Sequence, residues 1–302
     1  MAAPKRAKKT DGDFAVSNPD KVFWPTEGYT KLDLVNFYRD VFSSLKSYVD
    51  DRILTLERCP DGMRGQCFYQ KEMPDGMPAG TPMKSIKSET RGKITHYVVG
   101  GRLETQLALA NLGCIPVHVT GSRAKTFPRP DWMCFDLDPE TGRFADAANA
   151  GLQVRDALDA LDLVSFPKTS GSRGLHVFVP LRVGPTATEV LKFAEEFVKR
   201  LAAADPKRLT VEHSIEARGE RVYLDAFRNG SVQTVVSPYS VRRKPHAPVS
   251  TPLDWSEVKP SLDPAKVNLG NFRARLQQQD PWRDFFKNRQ NLAAAAAKLK
   301  RI

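Results

Sequence analysis

Two carboxylates, Asp136 and Asp138, stand one residue apart at the end of the apolar run Trp132-Met-Cys-Phe, and Pro139 follows them. Such a run predicts a buried strand that ends at the proline, because proline cannot donate to a strand ladder. On a strand the two carboxylates would share one face, since side chains alternate with a period of two. Carboxylates this close repel each other unless a cation lies between them. The pair therefore indicates a Mg²⁺ or Mn²⁺ site, and the alternative is a plain surface turn, in which Asp-x-Asp is common.

A third carboxylate, Asp225, ends a second apolar run, Val222-Tyr-Leu. Between the two runs lies Ser170-Gly-Ser-Arg-Gly-Leu-His176, whose small residues predict a tight turn with backbone N–H groups that can face an anion. Side-chain donors for a triphosphate are offered by Ser170, Ser172, Arg173, His176 and Arg242. Nucleotidyl transfer needs two metal ions and a bound triphosphate. Together these residue types predict a metal-dependent enzyme that acts on nucleoside triphosphates.

Helical and strand patterns predict the elements that hold these residues. Thr30 with Asp33, and Thr186 with Glu189, form capping boxes that begin two helices. Further helices are predicted over residues 103–112 and 144–161, and strands over residues 52–59, 115–119 and 163–166. Gln233 is expected in the strand that follows Asp225. The chain is predicted to end in a helical segment over about residues 262–300.

The charge of the chain indicates a partner that carries phosphate. The 302 residues have a formal net charge of +11, and two predicted loops, residues 73–93 and 121–130, are basic. Residues 1–13 are expected to be a disordered basic arm before a single catalytic domain over residues 14–302. No run of about eighteen apolar residues occurs, so we predict no membrane span and a cytoplasmic location. The four cysteines lack a metal-binding spacing and are expected to be reduced.

Three motifs occur in an order that resembles a known family. Asp136-Leu-Asp138-Pro, Ser170-Gly-Ser-Arg-Gly-Leu-His176 and Val222-Tyr-Leu-Asp225 resemble the three motifs of archaeo-eukaryotic primase superfamily polymerases. They are most similar to those of the polymerase domain of bacterial ligase D, and the resemblance extends from about residue 18 to residue 282. It implies an α/β (α+β) primase-polymerase fold, in which central, mainly antiparallel sheets are flanked by helices.

The resemblance also implies roles for residues around the metal site. Asp136 and Asp138 would bind two ions, Mn²⁺ or Mg²⁺, and Asp225 would complete the site nearest the attacking 3′-hydroxyl. An NTP or dNTP substrate would be bound by Ser170, Ser172, Arg173, His176, His118 and Arg242, with Gln233 close to the metal site. The sequence differs from the family pattern at two places among these nucleotide-binding residues. Arg173 stands where the family often has lysine, and Pro116-Val-His118-Val replaces the usual Glu-Leu-His-x-Trp.

The DNA partner follows from the same resemblance. Asn18, Lys21 and Lys31 match a pocket for a 5′-phosphate at the far side of a gap or break, and Phe68 and Tyr69 match an aromatic pair that stacks on the template base. The family fills gaps and extends ends of double-stranded DNA in non-homologous end joining. Ku and a ligase domain are the partners implied, and association with the nucleoid is the location implied.

Four other functions are alternatives to a polymerase of non-homologous end joining. A stand-alone primase-polymerase in other repair or priming would use the same residues. A replicative primase usually carries a zinc knuckle, which the cysteine spacing does not offer. A glycosyltransferase explains Asp-x-Asp but not the basic loops or the third carboxylate. A non-catalytic nucleic-acid-binding module explains the charge but has no use for converging carboxylates.

Overall fold

The computed structural model describes residues 14–87 and 92–301. The basic arm predicted over residues 1–13 lies outside the described residues, as does the stretch 88–91 of the first basic loop. The strands, numbered in chain order, are β1 Val22–Trp24, β2 Tyr29–Thr30, β3 Arg52–Arg58, β4 Phe68–Gln70, β5 Met83–Lys87, β6 Ile94–Val98, β7 Cys114–Arg123, β8 Trp132–Pro139, β9 Phe166–Thr169, β10 Leu175–Pro180, β11 Leu209–Thr210, β12 Val222–Asp225, β13 Thr234–Val236, β14 Ser240–Val241 and β15 Val249–Ser250.

The helices lie between and after these strands. They are α1 Lys31–Val49, α2 Leu103–Asn111, α3 Phe144–Asp159, α4 Ala187–Ala204, α5 Ile215–Arg218, α6 Phe272–Leu276 and α7 Leu292–Leu299. Short 3-10 helices are formed by Phe227–Asn229, Trp255–Glu257, Pro264–Lys266 and Phe285–Lys287. Both predicted capping boxes are confirmed, since Thr30 and Thr186 each exchange hydrogen bonds with the acidic residue three positions later.

Two sheets form the centre of the molecule. The larger has the strand order β11-β12-β8-β10-β9, and the smaller has the order β13-β7-β3-β4. Within them every pair is antiparallel except β11 with β12. The predicted fold class, α/β with mainly antiparallel sheets flanked by helices, is therefore confirmed.

Strand β8 lies between two hydrophobic cores, and this determines where its carboxylates point. Met133, Phe135 and Leu137 are fully buried in a core shared with α3 and α4. Trp132 and Cys134 belong to the other core, which contains residues of the smaller sheet. Because side chains alternate along a strand, Asp136 and Asp138 continue the face of Trp132 and Cys134. They are directed towards the smaller sheet and away from the helices.

One row of residues crosses four strands of the larger sheet. In the register of the antiparallel pairs, Asp225 of β12 lies opposite Asp136 of β8. Asp136 lies opposite His176 of β10, and His176 lies opposite Lys168 of β9. Residues directly opposite each other in antiparallel strands place their side chains on the same face. The sheet therefore brings residues from four separate segments onto one line.

Several predicted elements differ from the structure. The strand expected over residues 163–166 begins only at Phe166, because Leu163 turns into the core. Gln233 lies just before β13 and not in it. The C-terminal segment is helical only in short pieces: Pro264 begins a 3-10 helix of three residues, and Pro281 lies in the non-helical stretch after α6. Among the described residues, no helix combines the length and apolarity that crossing a membrane requires.

The prediction of four reduced cysteines was wrong for one pair. Cys59 and Cys67 form a disulfide with Cα atoms 4.4 Å apart, whereas Cys114 and Cys134 are free and buried. The reason is strand register: Arg58 of β3 pairs with Phe68 of β4, so the next positions, Cys59 and Cys67, face each other. Their spacing in the sequence does not show this, because the intervening turn has no metal or disulfide signature.

Candidate active site

Asp136 is the central side chain of the site that we call the carboxylate site, which comprises Asp136, Asp138 and Asp225. Its carboxylate is buried, and its Oδ1 lies 3.0 Å from Nε2 of His176. That oxygen nevertheless accepts no hydrogen bond of regular geometry from the described residues. A buried carboxylate oxygen without such a partner is costly unless it serves a ligand. Asp136 is therefore the natural first ligand of a cation.

The three carboxylates differ in their protonation. Burial would raise the pKa of Asp136, but the adjacent His176 and Arg228 outweigh it and hold that pKa well below its ordinary value. The negative charge of Asp136 is the main cause that raises the pKa of Asp138 to about 7, and desolvation adds less because Asp138 itself is exposed. Burial also raises the pKa of Asp225, although Arg228 opposes the shift. Like charges held this close without a bound metal ion favour protonation of one partner.

Arg228 was not identified from the sequence, and it lies between the carboxylates. Its Nε is 3.1 Å from Oδ2 of Asp225 and 3.5 Å from Oδ2 of Asp136. The side chain is presented by the 3-10 helix Phe227–Asn229, which directly follows β12. The signal available in the sequence was a basic residue three positions after a strand-end carboxylate, a spacing that allows an ion pair in a helical turn. Arg228 partly neutralises the charge that would otherwise attract metal.

The chemistry of the carboxylate site suits a hard divalent cation, although its side chains do not converge on one point. Among residues 14–87 and 92–301, no group of three His, Cys, Asp or Glu side chains converges on a single point. The donors on offer are carboxylate oxygens, which Mg²⁺ and Mn²⁺ prefer. Oδ1 of Asp136, which accepts no hydrogen bond of regular geometry even though His176 lies beside it, adds a further acceptor. The residues therefore fit such an ion once the guanidinium of Arg228 has moved aside.

The Ser/Gly turn between β9 and β10 packs against the carboxylate strand. Ser170 Oγ accepts hydrogen bonds from the backbone N–H groups of Ser172 and Gly174, each at 3.2 Å. Gly171 has a φ of +69°, and a Cβ there would come within 2.5 Å of the Cγ of Arg242. Only glycine allows this close approach of Arg242 to the turn. Arg173 is exposed at the tip of the turn, where its charge partly opposes the rise in the pKa of Asp138.

His118 and Arg242 extend the site from the opposite direction. His118 lies on β7 of the smaller sheet, opposite Thr55 of β3 and Val236 of β13. Burial lowers the pKa of His118 to about 3, and Arg242, Arg228 and Lys168 add to the effect. The imidazole is therefore neutral at ordinary pH.

The two aromatic residues of β4 have different surroundings. The ring of Tyr69 stacks on His118 with centroids 6.1 Å apart, and 67% of Tyr69 is exposed. Phe68 is also exposed, and the guanidinium of Arg58 lies over its ring, 5.5 Å from the centroid. Within the part of the chain that the structure describes, the ring contact with His118 connects Tyr69 to the predicted nucleotide-binding residues, whereas Phe68 contacts Arg58.

A second group of predicted residues, which we call the lysine pocket, comprises Asn18, Lys21 and Lys31. The backbone N–H of Lys21 donates to Asn18 O at 3.1 Å, and that of Lys31 donates to Lys21 O at 2.8 Å. Lys21 forms an ion pair with Asp61, and Lys31 Nζ donates to Ser17 Oγ at 3.2 Å. Burial lowers the pKa of Lys31, and the charge of Lys21 lowers it further.

The remaining predicted residue, Gln233, lies close to Arg228 in the chain. Its backbone N–H donates to Gly230 O at 3.1 Å, one turn beyond the 3-10 helix that carries Arg228. Beside it, an open cavity of about 390 Å³ is lined by Asp138, His213, Arg218, Tyr223, Asp225, Phe227 and Arg228. This cavity gives the carboxylate site an open side, with the ring of His213 lying edge-on to that of Phe227.

The chain is similar to known proteins over most of its length. Residues 30–282 match the family model described as the LigD primase-polymerase domain. A bifunctional non-homologous end joining protein LigD of Bacillus subtilis is 30% identical over 287 residues, which cover 93% of this chain and 46% of that protein. A multifunctional LigD of Mycolicibacterium smegmatis is 29% identical over 272 residues, which cover 89% of this chain and 35% of that protein. This chain therefore spans half or less of the length of these curated relatives.

A solved structure is similar over nearly the whole fold. The polymerase domain from Mycobacterium tuberculosis ligase D in complex with DNA matches with a TM-score of 0.85 and 27% sequence identity. The match covers 92% of this chain and 99% of that one.

Proposed function

Because this chain belongs to the LigD primase-polymerase domain family, a family of nucleotidyltransferases, we propose that it adds ribo- or deoxyribonucleotides to DNA 3′ ends. The sites of addition are gaps and double-strand breaks, within non-homologous end joining. The observation that carries this proposal is the register of β8, which places Asp136 between Asp225 and His176 on one face of the sheet. A binding module has no need for that convergence of charges in a buried position.

In this proposal the carboxylate site holds two ions, Mn²⁺ in preference to Mg²⁺. Asp136 and Asp138 would hold both ions, and Asp225 would complete the site nearest the attacking 3′-hydroxyl. When bound, such ions supply Lewis acidity to the attacking hydroxyl and charge neutralisation to the departing pyrophosphate. The protein contributes the fixed spacing of the carboxylates, and Arg228 would exchange its ion pairs with Asp136 and Asp225 for the incoming phosphates.

The triphosphate is assigned to the Ser/Gly turn and the side chains around it. Ser170, Ser172, Arg173, His176, His118 and Arg242 supply donors, and Gln233 lies near the metal site. What supports this assignment is the packing of Arg242 against Gly171, which places a guanidinium beside the turn. Guanidinium groups bind phosphate oxygens with two parallel hydrogen bonds, so Arg242 also fixes the orientation of the nucleotide.

The DNA is assigned to two further surfaces. The lysine pocket receives the 5′-phosphate at the far side of a gap, and Lys21 exchanges its ion pair with Asp61 for the phosphate. Tyr69 and Phe68 stack on the template base, since both rings are exposed on β4. Ku and a ligase domain are the proposed partners, and the chain is proposed to act in the cytoplasm in association with the nucleoid.

Primer extension tests the proposal directly. The substrate is a duplex with a gap of one nucleotide and a 5′-phosphate, offered with NTP or dNTP and with Mn²⁺ or Mg²⁺. We expect metal-dependent addition that disappears in the double variant Asp136→Ala/Asp138→Ala. The absence of addition under every condition, with DNA still bound, would replace this function with that of a nucleic-acid-binding module.

A further inference from the structure

The disulfide between Cys59 and Cys67 closes a turn over residues 59–67, which we call the bridged turn. Its first end is fixed: Cys59 directly follows β3, is fully buried, and donates its backbone N–H to the oxygen of Gly113 at 2.8 Å. Its second end, Cys67, is half-buried and directly precedes β4. The bond therefore ties the start of β4 to a fixed point beside the core.

Strand β4 depends on this tie because its other anchors are weak. It has three residues and is the edge strand of the smaller sheet, paired with β3. Phe68 and Tyr69 are exposed and Gln70 is half-buried, so the strand gains little from packing. Its side chains rest on the guanidinium of Arg58, which donates to Gln70 at 2.9 Å and lies over Phe68. Exposed contacts of this kind leave an edge strand free to fray.

The middle of the bridged turn is held in a different way. Asp61 forms the ion pair with Lys21, and the backbone N–H of Met63 donates to the oxygen of Phe23 at 3.0 Å. A Cβ on Gly62 would come within 2.8 Å of the Cα of Phe23, so the turn packs closely on β1. These contacts do not depend on the disulfide. Opening the bond therefore frees mainly the end of the turn that leads into β4, and it leaves the lysine pocket in place.

We propose that Cys59 and Cys67 are a redox-sensitive pair that controls how firmly β4 is held. With the bond formed, Phe68 and Tyr69 are kept in position to stack on a base. With the bond reduced, β4 frays and the template base is bound more weakly. The effect on the template rests on the function proposed above, whereas the effect on β4 does not.

The reactants are small thiols and their disulfides. Because Cys59 is fully buried, a small thiolate reaches the bond at Cys67 and attacks its Sγ. The S–S bond breaks, and its electron pair leaves with Sγ of Cys59, which takes up a proton. A second thiolate then attacks the outer sulfur of the mixed disulfide and releases Cys67, which is protonated in turn. Two electrons and two protons reach the protein, one small disulfide is formed, and oxidation by such a disulfide reverses the steps.

Thiol counting and hydrogen exchange test the pair without any DNA. Alkylation of the oxidised full chain in denaturant should label two of its four cysteines, and alkylation after treatment of the folded protein with dithiothreitol should label all four. Reduction should make the amides of β4 exchange about tenfold faster, while those of β3 and β7 stay protected. A bond that never forms, a bond that resists dithiothreitol, or an unchanged exchange of β4 would each overturn the proposal.

Binding to gapped DNA extends the test to the template. A gap that carries a 5′-hydroxyl keeps the lysine pocket out of the comparison. Fluorescence anisotropy should show about fivefold weaker binding by the reduced protein, because stacking on a base requires ordered rings. The same duplex with an abasic site opposite the gap should bind equally to both forms. Equal affinities for the intact template, or a difference that persists on the abasic template, would overturn the link to base stacking.

The variant Cys67→Ser identifies the bond that is responsible. Its β4 amides and its DNA affinity should match those of the reduced wild type, and dithiothreitol should change neither. It retains the buried Cys114 and Cys134, so a remaining response to dithiothreitol would assign the effect to those residues and contradict the proposal. If Cys67→Ser does not fold, the wild type in its two redox states still decides the question. If neither form of the wild type binds gapped DNA, the proposed function fails, and hydrogen exchange still tests the redox-sensitive pair.

Discussion

The carboxylate site and the lysine pocket both handle phosphate chemistry in the proposed function, but they are built in opposite ways. In the carboxylate site, Asp136 and Asp225 are buried and lie opposite each other in a central sheet. In the lysine pocket, exposed Asn18 and half-buried Lys21 lie on a turn ahead of α1, Lys21 forms an ion pair with Asp61, and only Lys31 is buried. The first site is positioned by strand register, and the second by a short surface turn.

The difference shows what each kind of site can tolerate. Buried carboxylates held by register cannot adjust to the loss of one member, because their geometry and their charges are coupled. Lys21 is partly exposed and acts largely as a positive charge in water, where screening limits its contribution, whereas Lys31 is buried at the start of α1. We therefore expect substitutions in the carboxylate site to eliminate the reaction, and substitutions in the lysine pocket to change only the choice of DNA.

The largest effect is expected for Asp136→Asn and for Asp225→Asn. Each removes a negatively charged metal ligand while keeping the shape of the side chain, so nucleotide addition should fall by about a thousandfold or more. Primer extension on gapped DNA measures this, and gel shift checks that DNA binding persists. Asp159→Asn, on the exposed surface of α3, is the matched control and should behave as wild type. Substantial activity in either variant would mean that register does not define the site.

A smaller and more selective effect is expected for Lys21→Gln combined with Lys31→Gln. Loss of charge-assisted contacts to a phosphate should remove about a tenfold preference for gaps with a 5′-phosphate over gaps without one. Competition binding with the two DNA forms measures the ratio, and Lys46→Gln near the end of α1 is the control. If the wild type already binds both forms equally, the lysine pocket has another role.

Arg228→Gln tests whether the guanidinium competes with metal. Removing a cation that lies 3.1 Å from Asp225 should tighten Mn²⁺ binding in the absence of nucleotide by about fivefold. Isothermal calorimetry on the nucleotide-free protein gives the affinity. Arg143→Gln, at an exposed ion pair with Asp146, removes the same charge elsewhere and should leave the affinity unchanged. An affinity that stays the same or weakens in Arg228→Gln would show that the arginine supports the site and does not compete with the metal.

The smallest effect concerns the pH dependence of stability. The pKa of Asp138 is raised to about 7 in the folded protein, so the folded state holds a proton that the unfolded chain has lost between about pH 4 and pH 7. The contribution of Asp138 to stability is therefore complete at low pH and is lost as the pH rises through 7. Asp136, with a lowered pKa, stays ionised in both states over this window and contributes a constant.

The variant Asp138→Asn isolates that contribution from the histidines, whose lowered pKa values act in the opposite direction. At pH 8 without metal it should melt about 2 °C above the wild type, because the repulsion from Asp136 is gone. At about pH 3.5, below the pKa of the carboxyl in the unfolded chain, the two melting temperatures should coincide. Melting curves by circular dichroism in metal-free buffer measure the difference, and a gain that is equal at both pH values would contradict the raised pKa of Asp138.

The sequence revealed the residue types of the site but not the way in which they meet. Strand ends at Asp138 and Asp225 could be predicted, since apolar runs that end in carboxylates are local patterns. The pairing of β8 with both β10 and β12 could not, because register between distant segments depends on the whole core. For the same reason Arg228 and Lys168 went unnoticed, and Cys59 was not seen to face Cys67. The family and its fold could be predicted, because the order of three short motifs is itself a sequence property.

The row of Asp225, Asp136, His176 and Lys168 has a consequence for insertions and deletions. Side chains of a strand alternate between faces, so one residue added within β12 would turn Asp225 towards the helices and place an apolar side chain opposite Asp136. The same change within β9 or β10 would separate Lys168 from His176. Each of these strands can accept substitutions. An insertion or deletion within one of them would break the alignment of the four side chains. The turns between them, which lie outside the row, are where this protein can gain or lose residues and still keep its site.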